Sequence, residues 1–157
     1  MRAAHRVAAL LVVVNAPLVV YSSIALSSPA SLTRFRIWAV SMAGISVALH
    51  LGAALLIARW LRARGQAHKA PPARDIIVGF RGQIILTLCA TVAMWWLASR
   101  AASALGRHTP SSADLAPLST YGWVATIVVI AFGSLAAVMV ATRQTAVPPA
   151  RSQRRRS

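Results

Sequence analysis

Residues 121–141 read YGWVATIVVIAFGSLAAVMVA, twenty-one positions without one charged side chain. A helix rises 1.5 Å per residue and the hydrocarbon core of a bilayer is about 30 Å thick, so a run of this length crosses it once. Three more runs of the same kind precede it, at 7–26, 37–58 and 76–98. A membrane barrel does not fit, because its strands are written as short alternating segments and not as continuous apolar runs. The sequence therefore predicts an all-α integral membrane protein, a single membrane domain whose four transmembrane helices pack as a bundle.

Charge supports that reading. Of 157 residues 57% are apolar, and seventeen Lys and Arg stand against two carboxylates, Asp75 and Asp114. A net charge of +15 on a soluble domain would point to nucleic acid, since basic patches release counterions from phosphate. Here the cations fall between the apolar runs and at the two ends, which is the pattern of topology signals and of contact with anionic headgroups. The expected partner is the lipid bilayer, with no nucleic acid. Cys89 is the only cysteine, so no internal disulfide and no CxxC motif exist; inside its apolar run it reads as a small buried residue.

Orientation follows from where the positive residues lie. One side of the predicted membrane holds Arg2, Arg6, Arg59, Arg62, Arg64, Lys69, Arg74, Arg143, Arg151, Arg154, Arg155 and Arg156, and the other only Arg34, Arg36, Arg100 and Arg107. Positive residues are retained in the cytoplasm, which predicts that both termini and the segment 59–75 lie there. Tyr21, Phe35, Trp38, Trp95, Trp96, Tyr121 and Trp123 fall at the predicted outer boundary and Trp60 at the inner one, as amphipathic rings do at headgroups. Arg59, Arg62, Arg64, Arg81, Arg154, Arg155 and Arg156 are the expected headgroup contacts, the last three on a disordered basic tail at 147–157 that follows two prolines. The excess of Ala, Arg and Val over Lys and Ile points to a GC-rich bacterial genome and so to a bacterial inner membrane.

The first run is longer than the 7–15 apolar residues of a secretory signal, and is read as a retained helix. Pro17 inside it cannot donate a hydrogen bond and crowds the Val13 carbonyl, which predicts a kink. The segments 27–36 and 99–120 are rich in Ser, Ala, Pro and Thr and read as loops, the Ala-rich start of the second extending the third helix by a turn. Asp75 precedes that third helix, where a carboxylate meets the positive end of the helix dipole and is expected to cap free amides.

Polar groups inside a membrane are costly unless paired, so each is a candidate for function. Asn15 lies eight residues from Val7, His50 eight from Ala58, Gln83 seven from Ile76 and Ser134 seven from Ala141. Each helix thus brings one hydrogen-bonding side chain to a common level about 11 to 12 Å from its cytoplasmic end. The layer can clip the bundle together, or it can surround a small molecule, proton or metal at His50. One histidine without nearby carboxylates makes a poor metal site, and a haem held between two histidines would need a second one in a span. No cofactor and no metal are expected. Gly44, Ala48 and Gly52 recur every four residues on the second helix, and Gly133 with Ala137 on the fourth, the small-residue spacing that lets helices approach in lipid. His50 lies roughly 160° around the helix from Gly52, so stripe and histidine are expected to face different neighbours.

Catalytic signatures are missing: no nucleophile elbow, no phosphate-binding Gly-rich loop and no paired carboxylates. His108 and Asp114 share a serine-bearing segment that offers no triad geometry. In size and span number the chain resembles small multidrug exporters and phage holins. The exporters carry a carboxylate in the first span where this chain has the neutral Asn15, which argues against proton-coupled cation export. Two functions are therefore expected in turn: a non-catalytic accessory or assembly subunit of a larger membrane complex, or an oligomeric small-solute transporter or pore lined by the Asn15, His50, Gln83 and Ser134 layer. Homo-oligomerisation is left open by the sequence.

Overall fold

A computed structural model describes residues 2–27, 31–64, 72–105 and 111–142. Among them 96% are helical and none is in a strand. The helices are α1 (Arg2–Ser27), α2 (Leu32–Ala63), α3 (Ala73–Gly79), α4 (Arg81–Leu105) and α5 (Ser112–Thr142). Helices α3 and α4 are one rod with a local tightening at Phe80 (φ −77°, ψ −4°): the Phe80 amide bonds the Ile76 carbonyl at 3.1 Å, and the Phe80 carbonyl accepts from Ile84 at 3.0 Å. Counted so, four helices are long and apolar enough to cross a membrane, with mean hydropathy from 1.8 to 2.5.

The helix starts are set by local chemistry. Ser31 caps α2, its hydroxyl accepting from the Arg34 amide at 3.2 Å. At α5 the cap is reciprocal: the Ser111 hydroxyl accepts from the Asp114 amide at 3.3 Å, and the Asp114 carboxylate accepts from the Ser111 amide and hydroxyl at 2.9 and 2.6 Å. Two free helix-end amides are satisfied at once. This box starts α5 nine residues before position 121, and the helix absorbs Pro117. The expected loop at 99–120 is corrected accordingly, since 99–105 and 112–120 are helical and the Ser/Ala/Pro composition reflects a cap and a first turn. Pro17 likewise sits inside an unbroken α1. Asp75 falls in the first turn of α3, whose N-cap is Pro72, so its carboxylate meets the helix dipole without capping an amide by a side-chain bond.

Helix α2 packs on α1, α4 and α5, and α5 packs on α1, α2 and α4, whereas α1 and α4 share almost no contact. The bundle is therefore a diamond with α2 and α5 across its short diagonal. The buried stripe of α5 runs Leu115, Leu118, Gly122, Thr126, Val129, Gly133, Ala137, Val140, in steps of three and four that repeat every eleven residues. Helix α2 shows the same repeat through Phe35, Ala39, Met42, Ser46, His50, Ala53 and Ile57. Eleven residues in three turns is 3.67 per turn, so both stripes stay on one face of nearly straight helices without the left-handed coiling that a seven-residue repeat imposes.

The core divides into two apolar halves. One, at the Trp60 end, is built on Val14, Ala54, Ile57, Ile76, Phe80 and Ala137. The other, at the Trp95 end, is built on Leu18, Leu26, Phe35, Trp38, Met42, Met94 and Leu118. Small residues let α5 come close: a Cβ on Gly122 would lie 2.8 Å from the Leu26 side chain, and one on Gly79 of α3 would lie 2.7 Å from Val140. The Ser119 hydroxyl also donates to the Leu26 carbonyl at 2.9 Å.

Three expectations change at the level of single side chains. Phe35 and Trp38 are core residues, each 2% exposed, their rings in contact at 5.4 Å between centroids and tilted by 53°; they face inward and form no surface belt. Trp95, Trp96 and Tyr121 do face outward. Cys89 is exposed, because it shares the outward side of α4 with Leu88 and Val92. The tail at 147–157, with Arg154, Arg155 and Arg156, lies outside the described residues.

Candidate functional site

Between the two apolar halves lies a chain of hydrogen bonds through α5, α1 and α2. The Asn15 amide nitrogen donates to the Ser134 hydroxyl at 2.9 Å, and the Asn15 carbonyl oxygen lies 3.0 Å from His50 Nε2. On the other side of the ring, His50 Nδ1 lies 2.8 Å from the Ser46 carbonyl and 3.2 Å from the Ser46 hydroxyl, one turn earlier in α2. His50 and Ser46 are wholly buried. The ring has room only because position 133 is glycine, where a Cβ would meet its Cε1 and Nδ1 at 2.5 Å.

The proton positions are constrained by the partners. A carbonyl only accepts, so Nδ1 must carry hydrogen toward Ser46. Two arrangements then complete the chain. With the Asn15 carboxamide as placed, Nε2–H donates to its oxygen and the ring is an imidazolium. With the carboxamide turned by half a rotation, its N–H donates to a bare Nε2, its oxygen accepts from the Ser134 hydroxyl, and the ring is neutral. In both, every side-chain group in the chain has a partner, which is what burial away from water requires.

Gln83, the fourth member of the expected layer, does not join. It is buried on α4 and turns to Thr87 at 3.4 Å and the Val129 carbonyl at 3.5 Å, both long contacts. The small-residue positions separate in the same way. Gly133 and Ala137 are buried and face α2, whereas Gly44 and Ala48 are exposed, Gly52 is half-buried, and a Cβ on either Gly44 or Gly52 would have nothing within 4 Å.

A second polar cluster is barely legible in the sequence. The Trp38 indole N–H donates to the Ser22 hydroxyl at 3.3 Å, the Thr126 hydroxyl lies 3.1 Å from the same oxygen, and Ser22 reaches the Met42 sulfur at 3.7 Å. Its only trace was that Ser22 continues the every-fourth stripe of Val14, Leu18 and Leu26.

Of the expected headgroup residues, Arg59, Arg62, Arg64 and Arg81 are exposed, and the Arg64 guanidinium lies 3.9 Å from the Trp60 ring centroid. Among the described residues no three His, Cys, Asp or Glu side chains lie together. Asp114 is engaged in the α5 cap, and His108 lies outside the described residues. No family model, no curated protein and no solved structure matches this chain.

Chemically, the site is a clamp: its titratable member bonds only amide, hydroxyl and carbonyl groups.

Proposed function

We propose that this protein is a four-span integral membrane protein that serves as a non-catalytic accessory or assembly subunit of a larger membrane complex, with both ends in the cytoplasm of a bacterial inner membrane. The membrane reading is supported by the direction in which the apolar side chains point. Only 17% to 33% of each apolar stretch is buried, and Val12, Ile24, Val92 and Ile127 are 63–69% exposed. Each would cost a soluble protein about 1.5–3 kcal/mol left in water, whereas lipid tails cover them without that cost. The orientation is supported by the exposed Arg59, Arg62, Arg64 and Arg81 at the Trp60 end.

The subunit reading is carried by the outward face of α2. This helix is central to the bundle, yet its Gly44, Ala48, Gly52 strip holds bare backbone surface. In lipid, helices associate through close backbone contact and van der Waals packing, so such a strip suits a helix of another protein. The groups that could do chemistry, by contrast, are bonded to one another inside the bundle.

The test is a photoactivatable amino acid placed at Ala48 in the full chain, expressed in its native membrane. A distinct, larger membrane protein in the adduct is the expected result. Adducts with lipid alone, together with solute flux by the purified protein, would overturn the subunit reading and favour the transporter or pore.

A further inference from the structure

Of the groups outside the clamp, Arg36 is the least settled. It sits one turn into α2 on the side of α4, its Nη2 donating to the Ser99 hydroxyl at 3.2 Å and its guanidinium 5.2 Å from the Trp95 ring centroid. Its Nε is buried and has no hydrogen-bond partner. The covered Nε is out of a ligand's reach, so an anion in the groove would meet the outer guanidinium nitrogens, whose N–H groups match the oxygens of a phosphate. The protein has none to offer. Its two carboxylates are Asp114, bonded to Ser111, and Asp75, beside Ile76 in the other half of the core.

Beside this arginine a groove of about 390 Å³ opens on the outside of the bundle, walled by Thr33, Arg36, Ile37, Val40, Ser41 and Trp95. Its volume is that of a small-ligand site. Two hydroxyls and the cation line it alongside two aliphatic side chains and a half-exposed indole. Helices that stand in lipid would bring that groove against phospholipid, whose phosphate and acyl chain match its two characters.

We infer that the α2–α4 groove holds one anionic phospholipid, its phosphodiester on the Arg36 guanidinium and an acyl chain along Ile37, Val40 and the Trp95 ring. This rests on the membrane reading proposed above and not on the subunit reading. The site holds a lipid against the seam of the two helices, and the Trp95 ring steadies the guanidinium by cation–π attraction.

The test uses the full chain reconstituted in phosphatidylcholine vesicles containing a small fraction of phosphatidylglycerol with a photoreactive acyl chain, or the same fraction of equally labelled phosphatidylcholine. Adducts are mapped by mass spectrometry to the segments 33–41 and 92–96. Both probes carry the phosphodiester, but the choline ammonium of the zwitterionic one repels the Arg36 guanidinium, so the anionic probe is expected to label them about tenfold more. Arg36→Gln abolishes that preference, Arg36→Lys keeps a part of it and checks that the fold survives, and Arg100→Gln leaves it unchanged. Equal labelling by both probes, or equal loss in the Arg36→Gln and Arg100→Gln variants, overturns the site, as does displacement of the probe by millimolar inorganic phosphate, which would mean that the headgroup alone is recognised. Failure of the wild-type chain to stay with the vesicles after alkaline washing would instead overturn the membrane reading.

Discussion

His50 of α2 and Gly133 of α5 fill one space: the imidazole lies where any side chain at position 133 would begin, 2.5 Å from the Cβ that glycine lacks. The two central helices thus meet through a ring on one and bare backbone on the other. The same ring is tied to Asn15 of α1, and Asn15 to Ser134 of α5.

Gly133→Ala is expected to force the ring aside and break its bond to Asn15. Overpacking of a closed core costs about 1–3 kcal/mol. Unfolding of the purified protein by SDS titration measures it. Gly44→Ala, where a Cβ meets nothing, should leave the isolated protein unchanged or raise its stability by up to about 1 kcal/mol. Equal losses in the two variants would contradict the packing described.

Asn15→Ala removes the link between three helices and leaves His50 Nε2 and the Ser134 hydroxyl without their partner. Hydrogen bonds between membrane helices contribute about 0.6 kcal/mol on average and up to about 2, so a loss of about 1–2 kcal/mol is expected for the two together. In a double-mutant cycle Asn15→Ala and Ser134→Ala should couple, whereas Asn15→Ala and Gln83→Ala should add. Coupling between Asn15 and Gln83 would place Gln83 in the chain from which the structure separates it.

The Ser46 carbonyl requires a proton on Nδ1 of His50 in both arrangements of the clamp. Nitrogen NMR of histidine-labelled protein in bilayers should show a protonated Nδ1 at every pH. A neutral ring protonated on Nε2 alone would mean that the Ser46 bond is absent.

Topology can be read with cysteine chemistry. In a Cys89→Ala background, Ser111→Cys is expected to react with an impermeant maleimide added outside intact cells, and Arg64→Cys only after the membrane is opened. The reverse pattern would invert the proposed orientation.

How far the sequence reached depends on the kind of information each residue carries. Counting from the ends of apolar runs sets the depth of a side chain, and Asn15, His50 and Ser134 do meet. Depth says nothing about direction around the helix, which is why Gln83 shares the level and turns to Val129 instead. Angle along one helix is legible, and it separates His50 from the Gly44, Ala48, Gly52 strip. What covers each side is not: Trp38 lies where an interfacial tryptophan would, and the Ser22 hydroxyl on α1, itself bonded to Thr126 on α5, gives its N–H a partner in the core. Serine and threonine also bond their own helix, as Thr126 does to the Gly122 carbonyl at 2.9 Å, so their place in a buried stripe does not announce a tertiary bond. The start of α5 was hidden for a related reason, since Ser111 and Asp114 look like loop residues until their reciprocal bonds are seen.

The central claim is that this chain works as part of a larger membrane assembly through the bare face of α2. The most direct measurement is extraction from the native membrane into nanodiscs, with the mass of the intact particle and the identity of its components determined for the wild type and for Ala48→Leu. A stoichiometric larger partner that is lost in the variant is the predicted result. A lone chain or a homo-oligomer that conducts solutes, unchanged by Ala48→Leu, would contradict it.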